Sequence, residues 1–256
     1  MTSLLTRPLR LIAVVAALGV LAGAYWVWSG AKSSTAADQT DAVAEFRAKG
    51  VSETGPSPGA PAAGVYRFRV TGDESAGSGV LSASRPLPDE AVYIISPIAG
   101  GYHEDLRISQ EHVEEARFHV AEAGTSATWR RTKITFLGIG EDDRSDVTPA
   151  ALDHPATLPV GRTWRGRYTL GAIGVSYRGR VVANEAMTLD STSVPVAVIR
   201  TDATFSGSTT GTRTDVVRWA PSLNLPLAWS IDQKTGGEAD YSINADLALV
   251  SATPAR

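Results

Sequence analysis

The residues most able to do chemistry in this 256-residue chain are its histidines, some of which lie among carboxylates. The run His103-Glu104-Asp105 and the grouping of His112 with Glu114 and Glu115 both contain the donor types of a metal site. Zinc needs three or four ligands that converge at about 2 Å, and neither spacing matches the helical motif of metalloproteases. We therefore expect solvated strand or turn residues, and predict no metal and no cofactor. The four histidines are His103, His112, His119 and His154.

A second set of oxygen donors lies between residues 141 and 149. Glu141, Asp142, Asp143 and Asp146 offer carboxylates, and calcium takes six to eight oxygen ligands. The segment lacks the glycine and the closing glutamate of a helix-loop-helix calcium site. We expect a plain acidic turn there.

Nucleophilic catalysis finds no support in the sequence. The chain has no cysteine, which excludes thiol chemistry. No Gly-x-Ser-x-Gly elbow occurs, and Ser75 and Ser78 lie in a glycine-rich segment without a strand-to-helix context. Glycan hydrolysis needs a pair of carboxylates, but the Asp and Glu residues are scattered and the sequence does not identify such a pair. We predict no enzyme and no catalytic residue.

Aromatic residues are the more informative candidates, because several tryptophans and tyrosines fall in or beside predicted strands. In a curved sheet their rings either fill the core or line an apolar cavity for a lipid or another hydrophobic ligand. A carbohydrate platform is the third alternative. Packing in the core is the favoured interpretation, and the cavity comes second. The predicted ligand-binding residues are Trp164, Tyr168, Tyr177 and Trp219.

The elements that position these residues are predicted to be strands. From Gly64 onward the apolar period is two, as where Tyr66, Phe68 and Val70 alternate with arginines. The segment His112 to Ala123 has a helical composition, but its alternation favours a strand. Regular strands separated by Gly, Ser and Asp turns predict an all-β fold. We expect a curved antiparallel sheet or partly open barrel of about ten strands around one core, over residues 64–256.

The clearest predicted hairpin runs from Trp164 to Val181. Rings and arginines alternate along both of its arms, around a turn at Gly171 to Gly174. A slip of one residue would bury the arginines. We therefore predict that Trp164, Tyr168 and Tyr177 face inward. The arginines predicted to face water are Arg165, Arg167, Arg178 and Arg180.

The first thirty residues predict export. Arg7 and Arg10 precede eighteen uncharged residues, which approach the length of a membrane-crossing helix. A cleaved signal peptide with a site at Ala22-Gly23-Ala24 is one interpretation. A retained anchor at residues 1–29 is favoured, because aromatic residues at 25–28 suit the membrane interface. Basic residues on the cytoplasmic side then place the N-terminus inside and the rest of the chain outside, as a single-pass protein of the cell membrane.

Residues 30–63 are interpreted as a flexible stalk rich in proline, glycine and alanine. Three prolines between Gly55 and Pro61 exclude regular structure there, while Asp41 to Lys49 is predicted to form a short helix. The net charge is −3 and no basic run occurs. A nucleic-acid partner, which needs a positive surface to replace counterions, is therefore not expected.

Packing motifs carry a resemblance over about residues 40–252. Pro159-Val160-Gly161 with Trp164 precedes the hairpin, Val194-Pro195-Val196 follows it, and a Trp-x-Pro ending stands at Trp219. In these motifs the chain resembles uncharacterised, membrane-anchored, β-rich exported proteins of high-GC Gram-positive bacteria. More distantly it is similar to curved-sheet periplasmic families related in shape to lipoprotein carriers. The resemblance implies a fold and a location, and it implies no catalytic residue.

Two functions from different classes remain. The favoured one is a membrane-tethered extracytoplasmic module that binds a lipid or another hydrophobic component of the cell envelope. The alternative is a structural or interaction protein of the envelope, with an envelope protein as its partner and no small ligand. An apolar cavity favours the first, whereas a filled core with an exposed apolar patch favours the second.

Overall fold

The computed structural model describes residues 34–49, 59–78, 81–136, 139–237 and 239–256. The predicted anchor at residues 1–29 and the proline-rich segment at 55–58 lie outside the described residues. Within the described part, no helix has both the length and the apolar content that a membrane crossing needs.

The described residues form one helix and thirteen strands. The helix, α1, runs over Gln39–Ala48. The strands are β1 (Gly64–Ser78), β2 (Leu81–Pro86), β3 (Glu90–Ile98), β4 (Gly101–Arg107), β5 (His112–Ala121), β6 (Gly124–Phe136), β7 (Ile139–Pro155), β8 (Thr163–Leu170), β9 (Ile173–Leu189), β10 (Thr192–Gly207), β11 (Thr210–Ala220), β12 (Leu225–Gly236) and β13 (Asp240–Leu249).

The sheet closes into a barrel because β1 pairs with β13, from Phe68 opposite Leu249 to Gly77 opposite Asp240. Strands β3 to β13 follow one another in sheet order as in sequence. The long strand β1 pairs with β3 along its first half and with β2 along its second half. The described strands therefore make a closed barrel of twelve, with β2 as an extra strand.

The expectation of an open or partly open sheet of about ten strands is thus wrong in both closure and count, although the all-β class is confirmed. The predicted acidic turn at 141–149 is also wrong, since β7 runs through it and pairs with β6, as Lys133 does with Asp142. The segment from His112 is a strand, as favoured. Because β7 is exposed over much of its length, it carries acidic residues and lacks the apolar alternation by which a strand is recognised in a sequence.

The hairpin of β8 and β9 has the predicted orientation. Its turn is shorter than expected, since Leu170 already pairs with Ile173. The four arginines on its arms are exposed, and Trp164 is 8% exposed. A Cβ at Gly179 would lie 2.2 Å from the Trp164 ring, and one at Gly166 would lie 2.6 Å from the Tyr177 ring. Glycine at these two positions gives the rings the room to lie flat on the opposite arm.

Helix α1 packs on the outside of the barrel. Asp38 caps it by accepting hydrogen bonds from the backbone N–H groups of Thr40 and Asp41. Ala42 and Phe46 are buried on its inner side. They pack against outward-facing aliphatic residues of β1 and β3, namely Val65, Val92 and Ile94. The helix begins two residues before the predicted start at Asp41, inside the segment interpreted as a stalk.

Candidate functional site

A cavity of about 400 Å³ lies inside the barrel. Inward-facing residues of most strands line it. It reaches the turn between β8 and β9 at Gly171 and Ala172 and the turn between β10 and β11 at Ser208. These turn residues are exposed, so the mouth of the cavity lies between the two hairpin ends. We call this space the barrel cavity, and its volume is in the range of small-molecule sites.

One part of the cavity wall is apolar and aromatic. Tyr168 and Tyr177 lie together with ring centroids 5.7 Å apart, and Tyr102 stacks on Phe118 at 5.0 Å. Trp219 contributes its ring near the end of β11. Aliphatic and aromatic residues continue this wall toward the mouth, namely Leu170, Ile173, Ile199, Ala203, Phe205 and Val217.

A buried ionic network occupies another part of the interior, and its first half joins β1, β2 and β5. Arg85 donates from Nε to Oε1 of Glu74 at 2.7 Å, and both side chains are at most 3% exposed. Oε2 of Glu74 lies 3.2 Å from Nδ1 of His112 and accepts a hydrogen bond from the Tyr241 hydroxyl. Glu74 therefore has three polar neighbours inside the barrel.

The second half of the network crosses the barrel. Nε2 of His112 lies 3.3 Å from Oε1 of Glu114, which accepts from Nη1 of Arg213 at 2.9 Å. Arg213 also donates to Asp215, and Trp229 donates to Asp215 from Nε1. Strands β5 and β11 are six positions apart in either direction around the ring of twelve, so the Glu114–Arg213 pair spans the interior. We call these residues the ionic network: Glu74, Arg85, His112, Glu114, Arg213 and Asp215.

The charges of this network match at neutral pH. Burial alone would lower the pKa of His112, but its hydrogen bonds and charge pairs with Glu114 and Glu74 outweigh burial and raise that pKa to about 9. Burial would raise the pKa of Glu74, yet His112 and Arg85 lower it to about 2. For Glu114, Arg213 and His112 likewise overcome burial and hold the pKa well below its usual range. Three cations therefore face three carboxylates.

A second polar group in the cavity is less completely paired. Arg130 on β6 faces inward, since its register partner is the buried Ala116. Its Nη2 lies 3.9 Å from Oδ1 of Asp153, which is beyond hydrogen-bond distance. The hydroxyl of Tyr93 donates to Oε2 of Glu104 nearby on β4. We call Glu104, Arg130, Asp153 and His154 the Arg130 cluster; all four residues line the barrel cavity.

Two buried polar atoms of this cluster have no hydrogen-bond partner within the described residues: Nε of Arg130 and Nε2 of His154. Nδ1 of His154 lies 3.2 Å from the carbonyl oxygen of Pro155. A carbonyl only accepts, so Nδ1 of His154 carries a hydrogen. Both unpartnered atoms are enclosed by protein, and the groups of this cluster that face the cavity are the exposed parts of the Arg130 and Asp153 side chains.

Burial raises the pKa of Glu104 to about 7; the Tyr93 hydrogen bond opposes this shift and the charge of Asp153 adds to it. Between pH 4.5 and 7 the folded state therefore holds a proton that the unfolded chain has released. We expect the free energy of unfolding to fall as pH rises through this window, by up to about 1.4 kcal/mol per pH unit. The raised pKa of His112 affects a different pH range. Its contribution to the free energy of unfolding is complete below pH 6.5 and is progressively lost as pH rises toward 9.

Urea unfolding between pH 4.5 and 6.5 checks this expectation. Glu104→Gln keeps a carbonyl that accepts from Tyr93, and it should flatten the slope. Glu122→Gln, at an exposed turn position, is the matched control and should leave the slope unchanged. A wild-type slope that survives in Glu104→Gln would show that another group binds the proton.

Three of the four predicted ligand-binding residues line the barrel cavity: Tyr168, Tyr177 and Trp219. Trp164 does not. It packs in a cluster with Val181, Ala197, Ile199 and Trp219, of which Ile199 and Trp219 also line the cavity. The charged residues of the cavity were missed by the sequence reasoning. Their signal was available, because Glu104 stands between Tyr102 and Leu106 on the inward face of β4.

The histidines near carboxylates were predicted to be solvated strand or turn residues, and this is wrong for His112, which is 1% exposed. His103 is on the outer face of β4, where Nε2 contacts Glu115 at 3.2 Å, whereas His112 and His154 are buried inside. In the described ranges no group of three or more His, Asp or Glu residues is arranged to hold a metal ion.

Comparison with known proteins adds little. No family model matches the chain, and no curated protein matches it. The chain is similar to the hypothetical lipoprotein YmcC of Escherichia coli K12 at 10% identity and a TM-score of 0.33, over 75% of this chain and 85% of that one. It is similar to YwiB of Bacillus subtilis at 7% identity and a TM-score of 0.19, over 72% and 92%. Likenesses this weak carry no argument, and none of them supports the resemblance to proteins of high-GC Gram-positive bacteria.

Proposed function

We propose that this chain is a membrane-tethered, extracytoplasmic binding module whose barrel takes a lipid or another hydrophobic or amphipathic ligand. The observation that carries the proposal is the barrel cavity of about 400 Å³, with its aromatic and aliphatic wall and its solvent-reaching mouth. The tether rests on the sequence of residues 1–29 alone. The proposal assigns no catalytic step to the chain.

The alternative, a structural protein that holds envelope partners without a small ligand, is less well supported. Closure by β1 and β13 pairs two of the strand edges that such a protein would offer, while β2 keeps one edge without a strand partner in the described sheet. Among the described residues, Val160 is the one large hydrophobic side chain that is exposed. A broad apolar docking face is therefore absent from the described surface, and the available apolar surface is inside the barrel.

Binding of the neutral apolar dye N-phenyl-1-naphthylamine to the purified full chain tests the proposal. Ala203 lines the cavity on β10, and Ala203→Trp should fill the space near the mouth and weaken dye binding at least about tenfold, since a tenfold loss corresponds to only about 1.4 kcal/mol. Thr204→Trp adds the same ring at the neighbouring exposed position and should bind as the wild type does. Fluorescence titration measures all three proteins.

Native mass spectrometry of the same protein should also detect a co-purified lipid that is reduced in Ala203→Trp. Two results would contradict the proposal. Absence of dye binding to the wild type would mean that the cavity does not accept apolar molecules. Equal loss of binding in Ala203→Trp and Thr204→Trp would place the dye outside the barrel.

A further inference from the structure

We propose that the head group of the ligand is uncharged and bears hydroxyl groups, and that the Arg130 cluster binds it. This inference rests on the proposed function and names the ligand class for the same cavity. Its basis is the juxtaposition, in the cavity wall, of the donor Nη2 of Arg130 and the acceptor Oδ1 of Asp153, which lie 3.9 Å apart, too far for a direct hydrogen bond. A hydroxyl group both donates and accepts, so it satisfies both atoms.

The position of the cluster shows that these polar groups are aimed into the cavity. The side chains of Arg130 and Asp153 retain 34% and 38% exposure although they lie inside the barrel. Both line the cavity, so that exposure is toward the cavity space. Buried polar atoms in proteins are normally paired. A guanidinium and a carboxylate that are both partly exposed to the cavity and 3.9 Å apart therefore indicate where a hydroxyl group of the ligand belongs.

Charge determines which head group fits. The ionic network is balanced, and in the Arg130 cluster the cation of Arg130 stands against the carboxylate of Asp153. Glu104, Glu141 and Asp143 add acidic groups to the cavity wall. An anionic head group would enter a cavity that has no surplus of positive charge, and a cationic one would be placed beside Arg130. Desolvating an unmatched charge is costly, so an uncharged head group fits the cavity best.

The apolar wall accounts for the other end of the ligand. From the Arg130 cluster, Leu170, Ala203 and Phe205 lead toward the exposed turns at the mouth. The tail of an amphiphile can lie along these residues while its head group stays deep in the barrel. The inferred ligand class is therefore a neutral, hydroxylated amphiphile, of which monoacylglycerols and alkyl glycosides are simple examples.

Four probes with the same twelve-carbon tail separate the head groups. They are 1-lauroylglycerol, methyl laurate, laurate and dodecylamine, and each is measured by its displacement of N-phenyl-1-naphthylamine from the full chain. We expect 1-lauroylglycerol to bind at least about tenfold tighter than the other three, which is the equivalent of one hydrogen bond to a charged group. Methyl laurate shows how loss of the hydroxyl groups changes the affinity, and laurate and dodecylamine show the effect of a negative and a positive charge.

Arg130→Met should remove the roughly tenfold preference for 1-lauroylglycerol over methyl laurate, and an unchanged far-ultraviolet circular dichroism spectrum shows that the barrel is folded. Arg165→Met, on the outer face of β8, should change neither affinity. Tighter binding of laurate or dodecylamine than of 1-lauroylglycerol overturns the inference and leaves the proposed function intact. So does an Arg130→Met variant that keeps the full preference. Failure of the dye and of all four probes to bind overturns the proposed function itself.

Discussion

Arg213→Met is expected to lower the free energy of unfolding by about 3–5 kcal/mol, the usual cost of removing one partner of a buried ion pair. Arg213 is the cation that faces both Glu114 and Asp215 inside the barrel. Methionine has a similar length, so the loss is electrostatic rather than a cavity effect. Asp215 is then left without its cation and Glu114 keeps only His112. Chemical denaturation measures the difference.

The chain contains its own control for this experiment. Arg200-Thr201-Asp202 on β10 repeats the tripeptide Arg213-Thr214-Asp215 on β11, and Arg200 donates to Asp202 as Arg213 does to Asp215. The outer pair is about half exposed, so Arg200→Met should cost no more than about 1 kcal/mol. Equal losses in the two variants would show that the inner pair is solvated and that the barrel does not enclose it.

Trp164→Ala is the second variant with a large expected effect, about 3–5 kcal/mol of unfolding free energy. The ring is 8% exposed, packs with Val181, Ala197 and Ile199, and covers Gly179. Removing it leaves a void that the neighbouring strands cannot fill. Trp164 does not itself line the cavity but packs in the cluster that contains the lining residues Trp219 and Ile199, so dye affinity should change less than stability does. Thermal or urea unfolding and the dye titration give the two readouts.

Arg165→Gln is the companion variant, since Arg165 is the next residue along β8 and points to solvent. We expect its effect on stability to stay within about 0.5 kcal/mol. A small loss of stability in Trp164→Ala together with a large loss in Arg165→Gln would mean that the inward and outward faces of this hairpin are assigned the wrong way round. A large loss of dye affinity in Trp164→Ala would instead show that the Trp164 ring is part of the binding site.

The inward and outward faces of single strands could be predicted because they depend only on neighbouring residues. The alternation of Trp164, Tyr168 and Tyr177 with arginines fixes the faces of β8 and β9 by the two-residue period. The same local signal separated β5 from a helix. The alternation was weak in β7, because acidic residues occur on both faces of this exposed strand and their pattern indicated a turn.

Closure and the ionic network could not be predicted, because they depend on residues far apart in sequence. Nothing in the neighbourhood of Phe68 indicates that Leu249 will pair with it. The two Arg-Thr-Asp tripeptides are identical in sequence, yet register places one outside and the other inside. For the candidate site, the aromatic residues in or beside predicted strands included Tyr168, Tyr177 and Trp219, which line the cavity, and their role in ligand binding stays a prediction. The polar half of the wall was missed, although charged residues in apolar alternation were its signal.

The pairing of β1 with β13 also has a consequence for how the molecule folds. Each hairpin from β3 onward can form from residues close in sequence, but the junction of β1 with β13 joins positions 68 and 249 and must wait for every strand between them. Loops that close over such separations carry a large entropy cost, and topologies rich in them fold slowly. Until that junction forms, the nascent chain exposes one unpaired edge of β1 and one of β13, and these are the surfaces through which incompletely folded copies would associate.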